Sequence, residues 1–275
     1  FTEPSPVLDL KVEYVGVTSV NVTWAVNDAA SNSYTYRIEV VNGTSERNLT
    51  SSVNKTEITD LIPGIMYSFT VFAVANDSQT EGEGVSISLY TKPSSVHDLK
   101  AEYVGAEKVS LVWTVSDADP SSYTYRIEVV NGSSERNLTS NVTKAEITEL
   151  IPGMLYKFAV FAVANDGQTE GEGVSTSLYT RPSPVHDLKV EYVGVTSVNL
   201  TWAVNDTASN SYTYRIEVVN GISERNLTLS ITRAEITELI PGTMYSFTVF
   251  AVANDSQTEG EGVSTSLYTS KSEFL

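Results

Sequence analysis

Leu61-Ile62-Pro63-Gly64-Ile65-Met66-Tyr67-Ser68-Phe69-Thr70-Val71-Phe72-Ala73-Val74-Ala75 is the stretch that decides the fold. Its first half returns as Leu150-Ile151-Pro152-Gly153-Met154-Leu155-Tyr156 and as Leu239-Ile240-Pro241-Gly242-Thr243-Met244-Tyr245, 89 residues further on each time. A Pro-Gly pair turns the chain. The tyrosine then opens a run in which apolar and polar residues alternate with the period of a strand. Tyr67, Phe69, Val71 and Ala73 share the inward face, which leaves Phe72 and Val74 pointing out. At such a corner of a β-sandwich a tyrosine can return its hydroxyl to upstream backbone while its ring fills the core.

The rest of the first repeat follows the same period. Val7 to Tyr14 reads as a strand, and Ser19 to Val26 as a second with Val20, Val22, Trp24 and Val26 inside and Asn21 and Thr23 outside. Trp24 recurs as Trp113 and Trp202, which marks a core anchor. Tyr34 to Val41 is a third strand with Tyr36, Ile38 and Val40 inward, and Asn42-Gly43 closes a tight turn into an edge segment reaching Ser52. Lys55 to Leu61 makes a fifth strand, and Val85 to Thr91, after the acidic Gly-rich loop Asn76 to Gly84, a seventh. No segment shows a helical period, so the unit is all-β.

The period divides the chain into residues 4–92, 93–181 and 182–270. Pro6–Thr91 and Pro184–Thr269 differ at 12 of 86 positions with no insertion or deletion, which duplication within one gene or a designed consensus array would explain, and the uneven pattern of substitution favours the natural origin. The middle repeat diverges more, for example at Ala106-Glu107-Lys108 and Ala118-Asp119-Pro120, and Lys271 to Leu275 leaves the repeat altogether. Connections of about four residues around Pro93 and Pro182 carry no flexible Gly/Ser run, so the joints bend little. At about 3.4 Å per strand residue, three units in line make a rod of about 100 Å.

Thirty-four acidic against 17 basic side chains give a net charge of −17. That sign excludes nucleic acid as a partner and direct contact with an anionic membrane. There is no cysteine, hence neither a disulfide framework nor thiolate chemistry. No run of about 20 apolar residues spans a bilayer, and no signal peptide opens the chain.

Catalysis finds little footing, and no cofactor or metal is expected. His97 and His186 occupy equivalent first-strand positions, and His97-Asp98 is expected to form no dyad because neighbouring strand residues face opposite sides. Two distant histidines do not make a metal site, and Asp117 with Asp119 is too sparse for a calcium loop. Glu81 and Glu83, with Glu170, Glu172, Glu259 and Glu261, read as solvated loop charge. Phe72, Phe161 and Phe250 read as aromatics packing on neighbours such as Arg37.

The most informative chemical signal is Asn-x-Ser/Thr, the acceptor for N-linked glycans. It occurs at Asn21, Asn42, Asn48, Asn54, Asn76, Asn131, Asn137, Asn141, Asn199, Asn205, Asn226 and Asn254, which is 12 of 17 asparagines. Most fall in turns or edge segments, and the density points to an extracellular glycoprotein. Ser110 stands where unit one has Asn21, and Gly167 breaks the sequon at Asn165, so the middle repeat is barer on its second strand and last long loop.

A tryptophan on the second strand, the Leu-x-Pro-Gly-x-x-Tyr corner and a Thr-x-Pro exit resemble the fibronectin type III domain, in three copies from about Pro4 to Tyr268. The resemblance implies a three-stranded sheet packed on a four-stranded one with Greek-key connections. The integrin-binding Arg-Gly-Asp of some such domains is missing here. Repeats such as Tyr-Arg-Ile-Glu-Val-Val-Asn-Gly and Glu-Gly-Glu-Gly-Val-Ser-x-Ser further resemble the ectodomain of a receptor-type tyrosine phosphatase of the density-enhanced kind. That implies a glycosylated spacer that engages an extracellular protein ligand or itself at the cell surface, with dephosphorylation carried out by a cytoplasmic domain outside this chain. The alternative is an adhesion or matrix protein whose repeats bind partners directly.

Overall fold

The computed structural model describes residues 2–271 apart from residues 30, 44, 106, 118 and 119. Ala106, the Ala118-Asp119 pair of the middle repeat and residues 272–275 therefore lie outside the described residues. The first unit holds strands β1 (Leu8–Tyr14), β2 (Val20–Ala25), β3 (Thr35–Asn42), β4 (Ser45–Ser51), β5 (Lys55–Ile58), β6 (Met66–Val74) and β7 (Val85–Tyr90). The second holds β8 (His97–Gly105), β9 (Lys108–Thr114), β10 (Thr124–Asn131), β11 (Ser134–Ser140), β12 (Lys144–Ile147), β13 (Leu155–Val163) and β14 (Val174–Tyr179). The third holds β15 (His186–Val193), β16 (Val198–Ala203), β17 (Thr213–Val219), β18 (Glu224–Leu229), β19 (Arg233–Ile236), β20 (Met244–Val252) and β21 (Val263–Tyr268).

Each unit is a sandwich of two antiparallel sheets, in unit one β1-β2-β5 against β4-β3-β6-β7, and the same order recurs in the other two. Strict alternation makes this possible. Val20, Val22 and Trp24 from one sheet meet Tyr36, Ile38, Val40, Tyr67, Phe69, Val71 and Ala73 from the other, all buried. The indole of Trp24 stands edge-on to Tyr36 with centroids 5.1 Å apart, and Trp113–Tyr125 and Trp202–Tyr214 repeat the pair. Such aromatic pairs contribute about 0.5–1.5 kcal/mol beyond the area they bury. The three cores are separate clusters, so each unit carries its own hydrophobic stabilisation.

Four details depart from the strand-period reading. Val74 is buried at 8 % exposure rather than outward, as are Val163 and Val252. The cause is the following loop, which turns back so that the Ala75 N–H donates to Thr80 O (2.9 Å) and Val74 bridges Glu81. The fifth strand stops at Ile58 instead of running to Leu61, because Asp60 takes a left-handed φ of 58°. Leu61 is nonetheless buried, its N–H donating to Thr18 O at 2.9 Å. The hairpin after β10 pairs Asn131 with Ser134, so Gly132 (φ 58°) and Ser133 are its central residues and the asparagine still belongs to the strand. Finally, the first strand of each unit carries a bulge at Asp9, Asp98 and Asp187, with φ of 51°, 52° and 52°.

Candidate functional site: the corners, the joints and the sequon asparagines

The corner is held by two side chains. Tyr67 Oη accepts the Ile62 N–H at 3.0 Å and faces Asn42 Nδ2 at 3.1 Å. Tyr156 accepts the Ile151 N–H at 3.0 Å and Tyr245 the Ile240 N–H at 3.1 Å. Thr91, at the end of the last strand and 1 % exposed, donates to Ile62 O (2.6 Å) and accepts from Ile65 N (3.0 Å). Thr180 and Thr269 do the same in their units. These threonines clamp the strand exit to the turn, and the sequence reading took them only as part of an exit motif.

The corner also forms the joint. Tyr123, at the entry to β10, directs its hydroxyl at Pro63 O of the preceding unit (3.1 Å) and at Asp117 Oδ2 of its own (2.8 Å). Asp117 Oδ2 also accepts the N–H of Ser94 in the connecting segment at 2.9 Å. The second joint repeats this with Tyr212, Pro152 O (3.1 Å), Asp206 Oδ2 (2.8 Å) and the Ser183 N–H (2.8 Å). Burial, followed by the Asp206 hydrogen bond, pushes the Tyr212 phenol well above its ordinary range. The tyrosine ring lies directly on the corner glycine: a Cβ on Gly64 would fall 2.5 Å from Tyr123 Cζ, and one on Gly153 would overlap the Tyr212 hydroxyl and the ring edge that carries it. Glycine is thus required there by close approach as well as by its φ of 68° and 70°. Two further contacts tie the first strand to the segment leaving the unit. Tyr14 donates to Tyr90 O at 2.8 Å under Lys92, and Tyr103 donates to Tyr179 O under Arg181. Asp28…Tyr34, Asp117…Tyr123 and Asp206…Tyr212 recur six residues apart, a spacing that marks the pair within each unit.

On the outer face of the four-stranded sheet, Arg37 is fixed from three sides. Its guanidinium lies 3.9 Å over the Phe72 ring, makes a two-pronged bond to Glu81 (2.8 Å each) and donates through Nη1 to Asn48 Oδ1 at 2.8 Å. Arg126 and Arg215 repeat the set with Phe161, Glu170 and Asn137, and with Phe250, Glu259 and Asn226. Gly84 lets the ring in, since a Cβ there would meet Phe72 Cε1 at 2.5 Å. The outward phenylalanines therefore pack on their neighbours, as expected. Glu81, Glu170 and Glu259 are instead a correction: they are half-buried partners of arginine, because the returning loop lays them across the sheet. The arginine bonds hold Glu81 and Glu259 below the usual carboxylate range. Glu83, Glu172 and Glu261 stay exposed.

Asn21, Asn48, Asn54, Asn76, Asn137, Asn141, Asn205, Asn226 and Asn254 are exposed, whereas Asn42, Asn131 and Asn199 are half-buried. Asn199 departs from the outward expectation in that its Oδ1 is buried without a hydrogen-bond partner.

His97 and Asp98 do meet, against the strand-alternation expectation: Nδ1 and Oδ2 lie 2.9 Å apart, and His186 and Asp187 lie 3.0 Å apart. The bulge is the reason, since a left-handed aspartate brings two successive side chains to one side. His97 Nε2 also lies 2.6 Å from Ser116 Oγ, and Thr114 Oγ1 lies 2.6 Å from Nδ1. The cluster stands open, with the two side chains 45 % and 71 % exposed, and lacks the water-excluded cavity that a nucleophile relay needs. Among the described residues no group of three or more His, Cys, Asp or Glu is placed to hold a metal ion, and no helix is long and apolar enough to cross a membrane.

The profile of the fibronectin type III domain matches residues 4–88, 92–177 and 183–266. The chain belongs to the fibronectin type III family. It is 66 % identical to receptor-type tyrosine-protein phosphatase eta of Gallus gallus over 269 residues, covering 98 % of this chain and 19 % of that protein. It is 30 % identical to receptor-type tyrosine-protein phosphatase H of Homo sapiens, over 96 % of this chain and 24 % of the relative. Tenascin of Mus musculus is 24 % identical over 87 % of the chain, which covers 12 % of it. The chain thus spans a quarter or less of the length of these relatives. It consists of type III domains, and no catalytic domain is evident in this region.

Proposed function

We propose that these three domains are an extracellular, glycosylated segment of a receptor-type tyrosine phosphatase, where they act as a stiff spacer that sets a ligand-binding or self-associating surface away from the membrane. The observation that carries the spacer reading is the joint. Two successive connections use the same tyrosine, proline carbonyl, aspartate and corner glycine, so the angle between units is set by directional bonds and close packing rather than by linker slack. The 66 % identity to phosphatase eta supports the parent, and the sequon density supports the compartment. The partner is a protein surface that tolerates or complements strong negative charge, with the less heavily sequon-marked middle unit as a docking candidate.

The similarity to tenascin favours a second reading, a matrix or adhesion protein without an enzyme. The complete coding sequence separates them: a membrane span followed by a Cys-x5-Arg phosphatase signature supports the receptor, and its absence removes it. Secretion of the chain from a eukaryotic cell, with intact mass before and after enzymatic deglycosylation, tests the compartment. A loss of many kilodaltons is expected, and an unchanged mass refutes the extracellular reading.

A further inference from the structure

Three of the sequon asparagines are held through the amide oxygen by an arginine. Asn48, Asn137 and Asn226 each accept a guanidinium N–H at 2.8, 2.9 and 2.9 Å. A guanidinium has only donors, so the amide oxygen must be the atom that faces it. The nitrogen, which is the atom a glycan is attached to, is thereby turned away from the arginine. In unit one it points along the strand, 3.5 Å from Glu46 Oε1. The arginine is itself immobilised by the two-pronged carboxylate bond and the phenylalanine ring, in all three units. By contrast, among the described residues no side-chain hydrogen bond holds Asn54 or Asn141, both exposed near the turn that follows the same strand.

We propose that Arg37, Arg126 and Arg215 are positioning residues for N-linked glycans at Asn48, Asn137 and Asn226, fixing the direction in which each sugar chain leaves the surface. This rests on the glycosylated, extracellular reading and adds to it a rigid attachment geometry. Asn48 and Asn137 are the central residues of β4 and β11, and Asn226 lies near the middle of β18. These are the outer strands of the four-stranded sheets. An outer strand offers unpaired backbone to other chains unless something covers it. Three glycans locked in one orientation, one per unit, would cover the midpoint of each such strand.

The test uses the full chain secreted from a eukaryotic cell. Glycopeptide mass spectrometry gives occupancy, and site-resolved release by a peptide N-glycosidase under native conditions gives access to each attachment bond. The sugars at Asn48, Asn137 and Asn226 should be released at least about tenfold more slowly than those at Asn54 and Asn141, the factor that corresponds to holding one charge-assisted hydrogen bond closed. Arg126→Met, which keeps an apolar stem over Phe161, should raise the rate at Asn137 alone to that of Asn141. The unchanged rates at Asn48 and Asn226 then report that the other units are intact, and equal rates after denaturation report that the enzyme has no sequence preference. Equal native rates at held and unheld sites, or no response to Arg126→Met, overturn the proposal. Glycans present elsewhere but absent from these three sites overturn it while leaving the extracellular reading intact. A chain bare at every sequon overturns both.

Discussion

Replacing Gly64 by alanine separates what the corner does for its own unit from what it does for the joint, because Gly242 supplies an internal control. Both glycines are left-handed, with φ of 68° and 64°. Alanine at either one costs about 1–2 kcal/mol from the backbone alone. At Gly242, among the described residues, the added methyl meets only Lys271 Cγ at 3.4 Å, an ordinary contact with a flexible side chain. At Gly64 it would overlap the Tyr123 ring, so the ring must leave and its bond to Pro63 O is lost with it. A neutral hydrogen bond lost on folding adds about 0.5–1.5 kcal/mol, before any lost ring packing. Gly64→Ala should therefore cost the chain about 1.5–3.5 kcal/mol against about 1–2 kcal/mol for Gly242→Ala. Differential scanning calorimetry of the full chain measures both, and small-angle scattering should show a broadened shape for Gly64→Ala only. The excess should vanish when Tyr123 is also replaced by alanine, since a coupling energy exists only while both partners are present. Equal losses at Gly64 and Gly242, with unchanged scattering, would refute the joint.

Thr180→Val keeps the shape but leaves the part-buried Met154 N–H and Ile151 carbonyl without the Thr180 hydroxyl, so urea unfolding should show a loss of about 1–2 kcal/mol. Tyr156→Phe removes the acceptor for the Ile151 N–H and should cost a similar 1–3 kcal/mol or so in the same assay, with the aromatic core intact by near-ultraviolet dichroism. Asp77 accepts the Thr80 N–H and hydroxyl and the Gln79 N–H, which draw its carboxyl down from 3.8 to about 2. A depressed folded value adds stability above the unfolded value and loses it as pH falls through the folded one, so the melting temperature should drop between pH 4 and pH 2, and less steeply in Asp77→Asn. Arg37→Lys keeps the charge but loses the fork to Glu81 and the flat stack on Phe72, for a loss of about 1 kcal/mol at this part-exposed site by equilibrium unfolding.

What the sequence showed and what it hid divide along one line, the distance over which the physics acts. Alternation is local, so Val20, Val22, Trp24, Tyr67, Phe69, Val71 and Ala73 could be placed in the core from the order of residues alone. The bulge at Asp98 could not, because a single left-handed residue reverses facing without changing composition. It is what brought His97 and Asp98 together. Val74 was hidden because the lid over it comes from a loop that reads as solvated charge. The joint was hidden for a deeper reason: each of its parts has a second task inside its own unit. Gly242 has the same left-handed φ as Gly64 and Gly153, and that φ by itself demands glycine. Tyr34 makes to Asp28, inside unit one, the same 2.8 Å bond that Tyr123 makes to Asp117. A Pro-Gly corner and an Asp-Tyr pair are thus each explained by a lone domain, and their meeting, 60 residues apart in sequence, adds no residue that a lone domain would not already need. A rigid joint assembled from parts the fold already requires can recur with every duplication, which is how near-identical repeats come to share near-identical joints.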